Sequence, residues 1–281
     1  VNYRHSFHAG NFADVLKHAV LARVLEYLAE KDKPFTVVDT HAGAGLYDLE
    51  GEESGRTLEY RDGIGRLMAD PAPPPMLAPY LACVAAENAA GALRLYPGSP
   101  VIARRLLRRG DHLMLCELHP PTRALLEEVF EGDRRTRIFD LDGYTAVKSF
   151  LPPTPRRGLI LIDPPFEKPD EFERLAAAVG DMLERWAKGL LIAWFPIKQR
   201  AAARSFRAAI ESLALPPALW VELLIRGETD QTRFNGCGLL ILNPPWTLQA
   251  ELSGLLPYLV GRLGQAAGAG FRLERLGTPR R

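Results

Sequence analysis

The sequence predicts an α/β protein built on a doubly wound, mostly parallel sheet. Three observations predict it. Short apolar, β-branched runs alternate with helix-period stretches along most of the chain. Four of those runs stop at or just before an acidic residue, Asp39, Glu117, Asp142 and Asp163, at the sheet edge where open α/β folds bind ligands. A chain of 281 residues with 47% hydrophobic composition can bury a sizeable core, as one large domain or as a domain carrying an insertion.

Residues 11–31 read as the first helix, with apolar positions at Val15, Leu16, Ala19, Val20, Ala22, Val24, Leu25 and Leu28. Asn11 suits its N-cap, Asp14 its first turn, and residues 31–34 its stop. Before it stands Tyr3-Arg4-His5-Ser6-Phe7-His8, by default a solvated tail. Beside a site, its rings and donors would suit a phosphate backbone or a base. Residues 35–39 form a strand that runs into Thr40-His41-Ala42-Gly43-Ala44-Gly45, where small residues let a ligand approach the backbone. Alone, this G-x-G fits a dinucleotide loop or a plain tight turn.

The acidic residue that holds a ribose lies about 20 residues beyond the glycine loop in a simple βαβ unit. Here the next strand, 112–116, ends at Glu117, about 70 residues on, which implies an insertion. It is placed at 47–96, with helices at 56–68 and 78–88 around a proline-rich connector at 71–79; residues 1–46 and 97–281 make the main domain. The chain returns through Pro97-Gly98-Ser99-Pro100, where Ser99 caps and Pro100 opens a helix through residue 109. The amino end of that helix faces the ligand edge, so Ser99 is a binding candidate.

A helix at 121–130 and a strand at 136–139 lead to Asp142-Gly143, a third acidic strand end. Residues 159–162 form a buried strand that delivers Asp163, Pro164, Pro165 and Phe166 to the sheet edge. Two prolines in a row make the turn stiff and leave its carbonyls available to a ligand. A carboxylate, a carbonyl and a ring side by side suit the exocyclic amine of a flipped base, although an isolated D-P-P more often only ends a strand. Helices at 169–188, 198–213 and 249–263 alternate with strands at 189–195, 218–225 and 238–242, and the chain closes in a Gly/Arg-rich tail.

The net charge of +1 is below that of a generic nucleic-acid coat, but arginines cluster at 104–109, 134–137 and 156–157, as phosphate patches or solvated helix faces. Cys83, Cys116 and Cys237 form no C-x-x-C, which argues against a disulfide framework and a cysteine metal site and fits a reducing cytosol. His5-x-x-His8 gathers no further ligands, so no metal is expected. No apolar run approaches the roughly 18 residues of a membrane span.

The glycine loop with His41, Glu117, Asp142-Gly143 and D-P-P-F, on successive strand ends, resembles the class I S-adenosylmethionine-dependent methyltransferase fold: Rossmann-like, with a mostly parallel seven-stranded sheet. D-P-P-F is similar to the [DNS]-P-P-[YFW] motif of amino-group methyltransferases. YRHSFHAGN, ADVLKH, DTHAGAG, YPGSP, ELHP, DG, RRGLILIDPPF and NPPW together resemble the RlmJ family, which methylates the N6 amine of one adenine in 23S ribosomal RNA. The resemblance implies S-adenosyl-L-methionine as co-substrate, held by His18, His41, Ser99, Glu117, Asp142, Gly143 and Asp163, with Tyr3 on the RNA. The chemistry of D-P-P-F makes Asp163, Pro164 and Phe166 the expected catalytic set, and a cytoplasmic protein is expected, as a monomer although the sequence does not fix the oligomeric state. Most of the family carries Tyr where this chain has Phe166, which keeps the stacking face without the phenol.

The adenine N6 lone pair is delocalised into the ring, so accepting its N–H bonds on Asp163 and the Pro164 carbonyl would favour a pyramidal, nucleophilic nitrogen. Asp163 would then take the surplus proton. Asn243-Pro244-Pro245-Trp246 is a second copy of the motif, expected to be structural because the seventh strand of this fold runs antiparallel. The alternatives are an rRNA guanine-N2 or DNA adenine-N6 methyltransferase, a nicotinamide dehydrogenase, and a non-catalytic RNA-binding protein.

Overall fold

The computed structural model describes residues 5–198, 200–227 and 233–277. Helix α1 (Phe12–Ala29) starts at Asn11, whose side chain accepts the Ala13 and Asp14 amides. It is buried nearly all round, with only Arg23, Glu26, Tyr27 and Ala29 reaching the surface. The one-sided stripe expected from the apolar spacing is therefore too narrow: Asp14, Lys17 and His18 are buried with it.

Strand β1 (Thr36–Asp39) follows, and the chain then leaves the sheet through β2 (Leu46–Asp48). The excursion holds α2 (Glu52–Thr57), α3 (Ile64–Met68) and α4 (Ala78–Glu87), and it returns through β3 (Leu95–Pro97), which pairs antiparallel with β2. The single helix expected over 56–68 is broken: Leu58 adopts a left-handed φ of 53°, and the 3-10 turn Glu59–Asp62 separates α2 from α3. Ile64, Leu67, Leu77, Tyr80 and Val84 of this excursion share one apolar core with α1.

The alternating part runs α5 (Ser99–Leu106), β4 (His112–Cys116), α6 (Pro120–Val129), β5 (Thr136–Phe139), α7 (Gly143–Phe150), β6 (Gly158–Ile162), α8 (Glu171–Trp186), β7 (Leu190–Ile197), α9 (Arg200–Glu211), β8 (Ala218–Leu224), β9 (Gly236–Leu242), α10 (Leu248–Leu263) and β10 (Gly270–Leu276). The sheet order is β10-β8-β9-β7-β6-β1-β4-β5. Strand β1 lies between β4 and β6, parallel to both, so the chain order reverses beside it and the crevice outside its carboxyl end is the ligand site of such a sheet. Strand β6 is buried throughout, Leu159 and Leu161 facing the core of α1, Ile160 and Ile162 facing Leu175, Val179 and Met182 of α8.

The mostly parallel α/β sheet is as expected, with one strand more. Strand β10, expected as tail, pairs antiparallel with β8 along its whole length. Its charges hide it in the sequence: Arg272, Glu274 and Arg275 are polar positions of an edge strand, where charge blocks further pairing. Strand β9 runs antiparallel to both β7 and β8, so its carboxyl end lies at the edge opposite to Asp163.

Candidate active site

At the end of β6 the side chain of Asp163 is 16% exposed, and its Oδ2 receives the Nζ of Lys17, itself only 5% exposed. The same ammonium lies 2.9 Å from Oδ1 of Asp14. The other Asp14 oxygen accepts the Gly10 amide at 2.9 Å and faces Nε2 of His5 at 2.9 Å. Burial works against the Lys17 charge, but the two carboxylates outweigh it and hold the lysine well above its usual range. Burial likewise opposes ionisation of Asp14, yet His5, Lys17 and His18 bring its carboxyl well below the usual 3.8. The result is one ammonium clamped between two carboxylates, which the excess of negative groups keeps electrically satisfied.

Pro164 is buried, and among the described residues no hydrogen bond reaches its carbonyl. Phe166 has a left-handed φ of 51°, a conformation that costs a non-glycine residue about 1 kcal/mol or more and concentrates at functional turns. It brings the half-buried ring against Phe172 (centroids 4.8 Å apart) and Trp194 (5.8 Å).

The neighbouring strand ends converge on the same edge. Asp39, at the end of β1, accepts the Ser99 hydroxyl at 2.7 Å and the His41 amide at 3.2 Å. Burial is the main reason its carboxyl rises to about 6, with Asp163 adding to the rise. Burial also lowers His41 to about 4, so its ring is neutral at physiological pH; Nδ1 shares a hydrogen bond with Thr40 Oγ1 at 2.8 Å. Glu117 accepts the Gly43 amide on one oxygen at 2.9 Å and the His119 amide on the other at 2.8 Å. One lone pair on each oxygen is then left for hydroxyl donors.

Asp142 caps α7 by accepting the Tyr144 and Thr145 amides, with Arg174 at 3.4 Å. Its carboxyl is lowered although burial opposes this, because those amides and Arg174 favour the charge. Gly143 is required: a methyl group there would strike the Thr40 carbonyl and the His41 ring. Ser99 differs from expectation. It is the first residue of α5, with Gly98 as the cap, and its hydroxyl serves Asp39 rather than the helix backbone.

His18 is 1% exposed. Its Nδ1 pairs with the Tyr96 hydroxyl at 2.7 Å, and Tyr96 in turn with Tyr80 at 2.9 Å. Burial sets its pKa well below the usual value. Nε2 is buried without a hydrogen-bond partner, 4.0 Å from Asp14.

Of the residues singled out in the sequence, Asp163, His41, Ser99, Glu117, Asp142 and Gly143 thus gather at one edge, and His18 joins through Asp14 and Lys17. Tyr3 lies outside the described residues. Asp39 is legible as an acidic strand end of the kind common in nucleotide sites, whereas sequence reasoning misses Lys17 and reads Asp14 only as a first-turn residue of the helix. Those two carry a detectable signal, an i, i+3 charge pair in a mostly apolar stretch.

Asn243 is elsewhere: at the opposite edge its side chain donates to the carbonyls of Ala187 and Gly189 at 2.9 and 2.8 Å. The arginine clusters are largely occupied as well. Arg104, Arg108, Arg135 and Arg157 donate to main-chain carbonyls at helix and loop ends, and Arg105 pairs with Glu87. Among the described residues no three acidic, histidine or cysteine side chains come together to hold a metal ion.

A family model described as ribosomal RNA large subunit methyltransferase D, RlmJ, matches residues 32–274. Ribosomal RNA large subunit methyltransferase J of Escherichia coli is 42% identical over 263 residues, 94% of each chain. The protein of the same name from Haemophilus influenzae is 40% identical over 264 residues, again 94% of each. A solved Legionella pneumophila protein superposes with a TM-score of 0.89 at 33% identity, covering 96% of this chain and 98% of its own.

Proposed function

This chain belongs to the RlmJ family of ribosomal RNA large subunit methyltransferases, and from that premise we propose that Asp163 holds the N6 amine of one 23S ribosomal RNA adenine while it accepts the methyl group of S-adenosylmethionine. The fold is that of the class I S-adenosylmethionine-dependent methyltransferases. The observation that carries the reading is the Lys17–Asp163 pair at the carboxyl end of β6, beside Pro164 and Phe166.

The residues present fit the co-substrate. Glu117 offers lone pairs on two oxygens to the ribose hydroxyls, and Asp142 with Gly143 suits the adenine edge. The unpartnered Nε2 of His18 and the neutral His41 suit the amino-acid end, with Ser99 and Asp39 behind them. S-adenosylmethionine supplies an electrophilic methyl group on a sulfonium.

Lys17 occupies Oδ2 of Asp163, which leaves Oδ1 to accept one N–H of the target amine while the Pro164 carbonyl accepts the other. Held so, the nitrogen pyramidalises and its lone pair points at the methyl carbon. As the N–C bond forms, the C–S electron pair returns to sulfur and the amine becomes a strong acid. The proton passes to Asp163. Lys17 fixes the orientation of the Asp163 carboxylate, so that its second oxygen faces the amine. Phe166 stacks on the adenine and fixes its plane.

The inserted helical subdomain, 47–96, and the amino-terminal segment that includes Tyr3 face the RNA in this reading, and the enzyme works as a cytoplasmic monomer. No helix among the described residues is long and apolar enough to cross a membrane. Transfer of labelled methyl to unmodified, protein-free 23S RNA, followed by nucleoside analysis, tests the specificity. N6-methyladenosine is expected, and N2-methylguanosine would contradict it.

A further inference from the structure

The segment 5–11 is tied to the insertion at several points. Ser54 donates to the Ser6 carbonyl at 2.6 Å, Ser6 to Glu53, and Thr57 to the Phe7 carbonyl. The Ile64 amide donates to the Gly10 carbonyl at 2.8 Å. Gly63 admits this approach, since a methyl group there would strike the Gly10 carbonyl and the Asn11 backbone. Glu59 stands at the centre. It faces His8 Nδ1 at 3.1 Å from both oxygens and accepts the Asn11 side-chain amide at 2.9 Å.

Those two partners lead to the reacting residues by separate routes. The turn ending at His8 carries His5, which faces Asp14 and lies 5.1 Å from the Tyr47 ring. Asn11 caps α1, the helix that carries Asp14 and Lys17; with Glu59 taking its amide, its oxygen is turned toward the Ala13 and Asp14 amides. A half-exposed ion pair adds little to stability by itself, so the stability of the insertion alone does not account for a carboxylate serving both routes.

We infer that Glu59 is a positioning residue for methyl transfer, fixing the His5 turn and the cap of α1 so that Asp14, Lys17 and Asp163 keep their alignment. The inference rests on the function proposed above. It gives the insertion a task inside the active site, distinct from any contact with RNA. Glu59 touches neither Lys17 nor Asp163 and acts through His8 and Asn11.

Methyl transfer to 23S RNA is measured for the full chain, for Glu59→Ala, for His5→Ala and for the double variant, alongside S-adenosylhomocysteine affinity and urea unfolding. In Glu59→Ala, kcat falls by about tenfold or more, the scale of losing hydrogen bonds to one charged group, while S-adenosylhomocysteine affinity stays. In the double variant kcat falls no further than in the worse single one, because both changes release the same turn. A wild-type kcat in either single variant, losses that multiply in the double, or S-adenosylhomocysteine affinity falling in step with kcat would overturn the inference. If Glu59→Ala does not fold, Ser54→Ala loosens the same turn without removing a charge and is held to the same three outcomes. A full chain that methylates no adenine would overturn the proposed function; an active full chain with indifferent variants overturns only the role of Glu59.

Discussion

Lys17 and Asp163, 146 residues apart in the chain, form an ion pair in which both side chains are largely withdrawn from water. Burying two charges costs several kcal/mol per ion unless the geometry is good and the remaining groups are satisfied. Here Asp14 supplies a second carboxylate to the same ammonium, and Gly10 and His5 satisfy Asp14. The pairing sets the geometry in which Asp163 meets a substrate, with one oxygen engaged.

Removing Lys17 leaves two buried carboxylates without their shared cation. Lys17→Met should lose about 3–5 kcal/mol of stability at pH 7, the usual loss on breaking a buried pair. Asp14 has its folded pKa depressed, so its contribution is present above the usual 3.8 and is lost as pH falls through the folded value. Urea titrations at several pH values should therefore find the difference between wild type and Lys17→Met shrinking below pH 4.

Asp39 has the opposite sign. Its carboxyl rises from 3.8 to about 6, chiefly through burial, so the folded state binds more protons than the unfolded one between those values. Wild-type stability accordingly loses ground as pH rises through that window. The stability of Asp39→Asn relative to wild type should climb between about pH 4 and pH 6 and level off above it. A flat difference across the window would show that Asp39 is not held protonated.

Glu117 accepts two backbone amides and has a lone pair left on each oxygen. Glu117→Ala should weaken S-adenosylhomocysteine binding by about 10- to 100-fold, the scale of lost hydrogen bonds to a charged acceptor. Calorimetric titration of wild type and variant reads the change directly.

The second D-P-P-like motif makes a contrasting case. Asn243 has a φ of 51°, and its side chain ties the Ala187 and Gly189 carbonyls, at the edge away from Asp163. Asn243→Ala should cost about 1–3 kcal/mol in urea unfolding, from the freed carbonyls and the left-handed backbone. The methylation rate per folded molecule should not change.

What the sequence displays and what it hides divides along physical lines. Asp163, Glu117 and Asp142 are readable because each ends a short apolar strand, and strand ends in such a sheet share one edge. Asn243 is readable for the converse reason, the antiparallel direction of β9. Lys17 is easily passed over despite its charge pair with Asp14, because a lysine on a helix ordinarily reads as solvated and its partner Asp163 lies 146 residues away. The left-handed turn at Leu58 falls on a residue that does not announce it, although Gly63 closes the break, and β10 is disguised by the charges that an edge strand carries. The role of Ser99 turns on one residue of helix start, within the ordinary uncertainty of element ends.

The most direct test concerns Asp163 itself. Asp163→Ala should still bind S-adenosylhomocysteine, weakened by about tenfold at most because Glu117, Asp142 and Gly143 remain, and should lose methyl transfer to 23S RNA by at least about a hundredfold, as when a single transition-state hydrogen-bonding group is removed. A variant that still transfers methyl at the wild-type rate would contradict the assignment of Asp163 as the residue that holds the amine.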